Sequence, residues 1–169
     1  ASDASTDRTD KIVQEHSLKT GRVKLVRQES RFGKSIGLNM AVKQASGDVI
    51  IFSDANAMYE KTAIKELVKY FADQEVGYVV GKALYYEDLE NAAATNESLY
   101  WKYETFIKQL ESNFHSVCVG DGAIYAIRKN LYRDLDADDI GDFVNPLIIS
   151  ANGYRGVFNP HAICYENAA

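Results

Sequence analysis

Two cysteines, three histidines and no stretch of about 18 apolar residues leave this 169-residue chain little for disulfides, His-rich metal sites or membrane spans. Cys118 and Cys164 each sit in an apolar, strand-like run. They read as two reduced core thiols rather than a disulfide or metal pair, which fits a reducing compartment. His16, His115 and His161 show no ligand spacing and receive no role. No cluster of Lys and Arg stands out and the net charge is −5, which argues against a general nucleic-acid binder, since phosphate neutralisation needs clustered cations. The opening Ala1-Ser2-Asp3-Ala4-Ser5-Thr6-Asp7 has neither an initiating Met nor the apolar core of a signal peptide. The end, Tyr165-Glu166-Asn167-Ala168-Ala169, stops directly after an expected strand. The chain therefore reads as cut at both ends. No repeat or low-complexity linker interrupts it, so a single domain over 1–169 is the simplest expectation. With 46% apolar and 25% charged residues, a packed core is feasible.

What is present alternates between helical and extended periodicity. A helix is expected from Thr9 to about Leu18, with Ile12, Val13 and His16 on one side and Gly21 ending it. Val23-Lys24-Leu25-Val26 alternates like a short strand. A second helix follows Gly33-Lys34-Ser35, carries Ile36, Met40 and Val42, and closes at Gly47. The run Asp48-Val49-Ile50-Ile51-Phe52-Ser53-Asp54 suits a strand buried on both faces of a parallel sheet. Lys61 to Asp73 is expected as an amphipathic helix through Ile64, Leu67, Val68 and Phe71. Further strands are expected at Tyr78 to Tyr86, at Ser116 to Arg128 with breaks at Gly120 and Gly122, and at Tyr154 to Tyr165. Long and short helices are expected at Glu90 to Phe114 and Asp142 to Asn152. This alternation indicates a three-layer α/β domain with a mainly parallel sheet.

Ligands of open α/β sheets bind beyond the carboxyl ends of the strands, which draws attention to Asp54-Ala55-Asn56. Oxygen-bearing side chains at i and i+2 just past a strand can converge on Mg2+ or Mn2+ and leave positions open for diphosphate oxygens. The same triplet could simply be an Asx turn. Asp3 precedes a helix and is either a ligand-facing acid or a capping one. Arg31-Phe32-Gly33-Lys34 leads into a helix N-terminus, where Lys34 and close backbone approach suit a phosphate or base edge, or where the segment is only a solvated cap. Pro146 is comfortable in the first turn of a helix, which places Asp142 at or beside the N-cap, ionised and able to accept a proton, or else merely capping.

Taken in order, these segments resemble the family-2 glycosyltransferases, especially the branch of hyaluronan, chitin and poly-N-acetylglucosamine synthases. Ser2-Asp3-Ala4-Ser5-Thr6-Asp7-Arg8-Thr9 is similar to the family's D-D-G-S-T-D-x-T, and Gly33-Lys34-Ser35-Ile36-Gly37-Leu38-Asn39 to its G-K-x-x-A-L-N. Ser53-Asp54-Ala55-Asn56 resembles the D-x-D segment, and Gly122-Ala123-Ile124-Tyr125-Ala126-Ile127-Arg128 the segment lining the acceptor side. Gly141-Asp142-Phe143-Val144-Asn145-Pro146-Leu147 resembles the E/D-D segment, and Gly153-Tyr154-Arg155 follows at the family's spacing. That register selects Asp142 over Asp138 and Asp139. Asn56 and Gly141 stand where the family has acids, and the processive members' Gln-x-x-Arg-Trp is absent.

The resemblance implies a GT-A fold lacking its N-terminal βαβ part, and an inverting transfer of a sugar from a nucleotide diphosphate, UDP above all, to a glycan or lipid-linked hydroxyl. It implies Asp142 as the base and Asp54, with Asn56, as ligands of Mg2+ or Mn2+. Asp3 would contact the base or ribose, Arg31 or Lys34 the base or diphosphate, and Asp121 and Gly122 would shape the acceptor pocket. Tyr100, Trp101 and Tyr103 could stack on a sugar face, although their helical spacing also suits core packing. The parent protein is expected at the cytoplasmic face of a membrane, making polysaccharide. Two rival readings stand beside this one. A sugar-phosphate nucleotidyltransferase would need a Gly-rich N-terminal loop that this sequence does not show. A silent binding or structural fragment could instead pair with another chain through its exposed sheet edge.

Overall fold

The computed structural model describes residues 1–85 and 95–167, and side chains outside 95–101. The chain divides into two compact units, residues 1–46 with 133–141, and residues 47–132 with 142–169.

In the first unit, α1 spans Thr9–Thr20 and α2 spans Lys34–Gln44. The Asp7 carboxylate accepts the Thr9 N–H at the start of α1 (2.9 Å). Gly21 ends the helix as expected, at φ 63°, a left-handed conformation that glycine adopts without a Cβ penalty. Residues 23–26 form no strand. Instead, Ser2 and Arg27 make one isolated parallel bridge, with Ser2 N–H on the Val26 carbonyl and Gln28 N–H on the Ser2 carbonyl. Alternation alone cannot make a strand, which needs a continuous partner, and here only Ser2 supplies one. Asn39 on α2 exchanges two hydrogen bonds with the Leu135 backbone (2.8 and 2.9 Å), and the Ser35 hydroxyl donates to the Asp139 carbonyl (2.6 Å).

The second unit is a five-stranded sheet with helices. Its strands are β1 Val49–Phe52, β2 Met58–Tyr59, β3 Val76–Tyr85, β4 Tyr125–Arg128 and β5 Arg155–Glu166, in the order β1-β4-β3-β5-β2. The helices are α3 Ala63–Val68, continued by a 3-10 turn Lys69–Ala72, then α4 Thr95–Phe114 and α5 Gly141–Ala151. The sheet is mixed rather than mainly parallel. Only β3 and β5 run parallel, while β1 with β4, β3 with β4, and β2 with β5 are antiparallel. The apolar run of β1 suggested a doubly buried strand, yet β1 ends this order and only Phe52 is fully buried. The central strand is β3, buried continuously from Val76 to Gly81.

Adjacent β3 residues face opposite sides. Val79 packs with Ala63, Leu67 and Phe71 from α3 and its 3-10 turn, whereas the Tyr78 hydroxyl reaches Ser150 on α5. Sheet and helices thus form three layers within this unit. The buried face of α3 is Ala63, Leu67 and Phe71, spaced by four. Ile64 and Val68, expected on it, are 54% and 40% exposed. Burying a side chain such as Leu67 completely contributes about 1.5–3 kcal/mol.

Three further expectations change. The strand expected from Ser116 shrinks to Tyr125–Arg128, because a turn at 121–124 and an outside hydrogen bond at Gly120 divert the backbone. Pro146 lies inside α5, not in its first turn. Cys118 is exposed and Cys164 buried, so only the second is a core thiol. Burial, with the nearby Asp121, Glu166 and Asp54 carboxylates, pushes the Cys164 thiol up to about 12. The start of the expected Glu90 helix lies outside the described residues. Among the described residues no helix is long and apolar enough to cross a membrane.

Candidate functional site

Because β1 and β4 are antiparallel, with Phe52 opposite Tyr125, the end of β1 lies beside the start of β4. Past Phe52 the chain turns, the Ala57 N–H bonding to the Asp54 carbonyl (3.2 Å). Before Tyr125 a second turn is closed by Ile124 N–H on the Asp121 carbonyl (3.0 Å) and by Ala123 N–H on the Asp121 carboxylate (3.2 Å). The Tyr59 hydroxyl holds the two turns together between the Phe52 and Ala123 carbonyls (3.1 and 3.0 Å). Burial is the main cause raising that hydroxyl to about 12, so it remains a donor.

Gly122 occupies the second turn. A Cβ placed there would lie 3.2 Å from Asp142 Oδ2 and 3.4 Å from Asp54 Oδ2. Both carboxylates therefore border the space that a side chain at 122 would fill. Beneath them, Phe52 stacks on Tyr125 (centroids 4.6 Å apart) and on Tyr132 (6.0 Å). The Tyr125 hydroxyl is pushed far up by burial first and then by the charge of Asp142, with Tyr132 and Asp54 adding to it.

Asp142 is the second residue of α5, within the positive end of the helix dipole. Asn56 is exposed on the Asp54 turn. Asp121 turns toward α4, where Lys108 Nζ lies 3.6 Å from Asp121 Oδ2 and 2.9 Å from Glu104 Oε1. Burial raises the Asp121 carboxyl, and the Lys108 charge opposes that rise. Sequence reasoning missed Lys108, although Glu104 and Lys108 stand at the i, i+4 spacing of a helical ion pair. Tyr103 is 64% exposed, so it is not core. The side chains of Tyr100 and Trp101 lie outside the described residues.

In the first unit, Asp3 Oδ1 accepts the Gln28 side-chain amide (2.9 Å), the Phe32 N–H (2.9 Å) and the Gly33 N–H (3.3 Å). One carboxylate thus shapes the loop before α2. Arg31 and Lys34 are exposed on either side of Phe32 and Gly33. Ala4, where the motif has glycine, sits at φ 51°. Asp139, a rival of Asp142 by sequence, spends Oδ2 on the Asp136 N–H (2.8 Å).

The described residues contain no group of three or more Asp, Glu, His or Cys suited to a metal ion. A hard cation held by one or two carboxylates and completed by substrate phosphates nevertheless fits the Asp54 side of the space beside Gly122. An oxygen-only donor set of this kind suits Mg2+ or Mn2+ rather than a thiophilic metal.

Residues 1–136 match glycosyl transferase family 2, and the chain belongs to that family. It is 30% identical to a probable glycosyltransferase, YdaM, of Bacillus subtilis, an alignment covering 97% of this chain and 41% of that protein. Its fold superposes on the mannosyltransferase PcManGT of Pyrobaculum calidifontis, solved with GDP-Man and Mn2+, with a TM-score of 0.80. Identity there is 23%, over 99% of this chain and 46% of the other. GalNAc-T7, solved with UDP, GalNAc and Mn2+, gives a TM-score of 0.69 at 16% identity, over 98% of this chain and 36% of its own. The chain thus has the GT-A fold and spans less than half the length of these relatives.

Proposed function

We propose that this chain is the catalytic part of an inverting glycosyltransferase, moving a sugar from a nucleotide diphosphate donor, UDP-linked for preference, to an acceptor hydroxyl. The observation that carries the reading is that the Asp54 and Asp142 Oδ2 atoms both border the space beside Gly122. Asp142 takes the proton of the attacking hydroxyl as that oxygen bonds to the anomeric carbon. It stands in the first turn of α5, where the free backbone N–H groups of a helix start favour a nearby carboxylate. Asp54, helped by Asn56, would hold a divalent cation, which when bound supplies positive charge for the departing diphosphate. Asp3 orders the loop that presents Arg31 and Lys34, the groups suited to base, ribose or diphosphate. The Asp121–Lys108–Glu104 cluster gives the acceptor side its polarity. The neighbours solved with nucleotides and Mn2+ support the donor and metal classes.

Replacing Asp142 by Asn in the intact protein should lower transfer by about 10²–10⁴-fold, the range of general-base catalysis, with nucleotide binding unchanged. Transfer at the wild-type rate would remove Asp142 from this role. A chain that binds no UDP with Mn2+ in calorimetry, and transfers no sugar, would favour the silent-fragment reading.

A further inference from the structure

An interior proline costs a helix about 3 kcal/mol, so Pro146 inside α5 calls for a reason. Proline has no N–H, and the carbonyl it fails to bond is that of the residue four back, which here is Asp142. That carbonyl accepts instead the Gly120 N–H at 2.7 Å. Gly120 is fitted to this contact. A Cβ there would lie 2.7 Å from the Asp142 carbonyl oxygen, 3.2 Å from Asp142 Cβ and 3.3 Å from its Cα. No other residue could bring its N–H so close without displacing the Asp142 backbone.

Two residues beyond Gly120, Gly122 lies against both carboxylates, and the turn that carries it is fixed to the sheet by Gly81 N–H on the Ile124 carbonyl (2.9 Å). The chain of contacts therefore runs from the Asp142 backbone through Gly120 and the 121–124 turn to β4. From β4 it passes to β1 and Asp54. We infer that Pro146 and Gly120 form a backbone latch: proline leaves the Asp142 carbonyl without a helical partner, glycine takes it, and Asp142 is thereby positioned against Asp54. Pro146 is a positioning residue, buried in α5 and acting through the Asp142 backbone. This inference rests on the proposed function for its catalytic consequence and on geometry for the latch itself.

The test is Pro146→Ala in the intact protein. Alanine restores an N–H that competes for the Asp142 carbonyl, and as the best helix former it should hold or raise the melting temperature. Hydrogen exchange at the Gly120 amide should become at least tenfold faster, and the through-hydrogen-bond coupling from Gly120 to the Asp142 carbonyl should vanish. The kcat should fall tenfold or more while the donor KM stays within twofold, a split that general destabilisation would not produce. Gly120→Ala, which breaks the same bond from the other side, should reproduce the kcat loss. An unchanged Gly120 amide in Pro146→Ala would refute the latch, and a lost coupling with intact kcat would refute its positioning role. A wild-type protein without transferase activity would instead sink the functional reading, and the amide measurements alone would then decide the latch.

Discussion

Gly122→Ala tests the space beside the two carboxylates with the smallest possible perturbation. The backbone at 122 lies outside the left-handed region, so alanine meets no φ strain. Its methyl would sit 3.2 Å from Asp142 Oδ2 and 3.4 Å from Asp54 Oδ2. The second distance is ordinary contact, while the first requires the Asp142 carboxylate to give by a few tenths of an ångström. Turning one carboxylate off its rotamer costs about 0.5–1.5 kcal/mol. At about 2–4 °C per kcal/mol for a chain of this size, the melting temperature should fall by no more than about 6 °C. The effect on ligands should be larger in proportion, since the methyl fills space beside the Asp54 carboxylate that a cation would need. Calorimetry with UDP should show Mn2+-dependent affinity falling tenfold or more, about 1.4 kcal/mol, with little change in metal-free binding. Wild-type affinity for UDP and Mn2+ in a folded Gly122→Ala protein would place the cation elsewhere and refute the reasoning.

Tyr78→Phe should cost about 1–3 kcal/mol in urea unfolding, because the buried Val117 carbonyl and the Ser150 hydroxyl lose their partner. Ala4→Gly should stabilise by about 0–1.6 kcal/mol: relief of a left-handed alanine is worth about 1–2 kcal/mol, offset by the roughly 0.4–1 kcal/mol of added chain entropy. A lowered midpoint would show that Ala4 is not strained, because only the entropy cost would then remain. For Asp121 the folded carboxyl is raised above its ordinary value of 3.8. The folded state then keeps the proton longer, so wild-type stability declines as pH rises from about 3.8 to the folded value and levels off beyond it. Asp121→Asn should flatten that decline in a pH series of denaturant melts, and an identical slope would count against the burial argument.

Segments whose meaning is local were legible from residue order. The Gly21 stop, α1, α2, α4, β3 and β5 all follow from periodicity and from glycine's conformational freedom, and the order of the motifs along the chain is enough to indicate the family. Pairing was not legible. Nothing in Val49 to Phe52 says that its neighbour is an antiparallel β4, because an apolar run records burial and not the direction of a partner strand. For the same reason residues 23–26 look like a strand and are not one. The periodicity of α3 marked Leu67 and Phe71 correctly but misplaced Ile64 and Val68, since the row that packs on the sheet is the i, i+4 row that starts at Ala63.

The chemistry divides along the same line. Sequence singled out Asp54, Asp142 and Gly122 as members of three separate motifs. Only tertiary structure set them around one space, through the antiparallel pairing of β1 with β4 and the Gly120 bond to Asp142. Pro146 shows the difference most clearly. Its lost N–H is written in the residue itself, but which group claims the carbonyl it abandons depends on a loop 22 or more residues earlier in the chain. Residue types decide what each group can donate, accept or leave vacant, and the fold decides which group meets which.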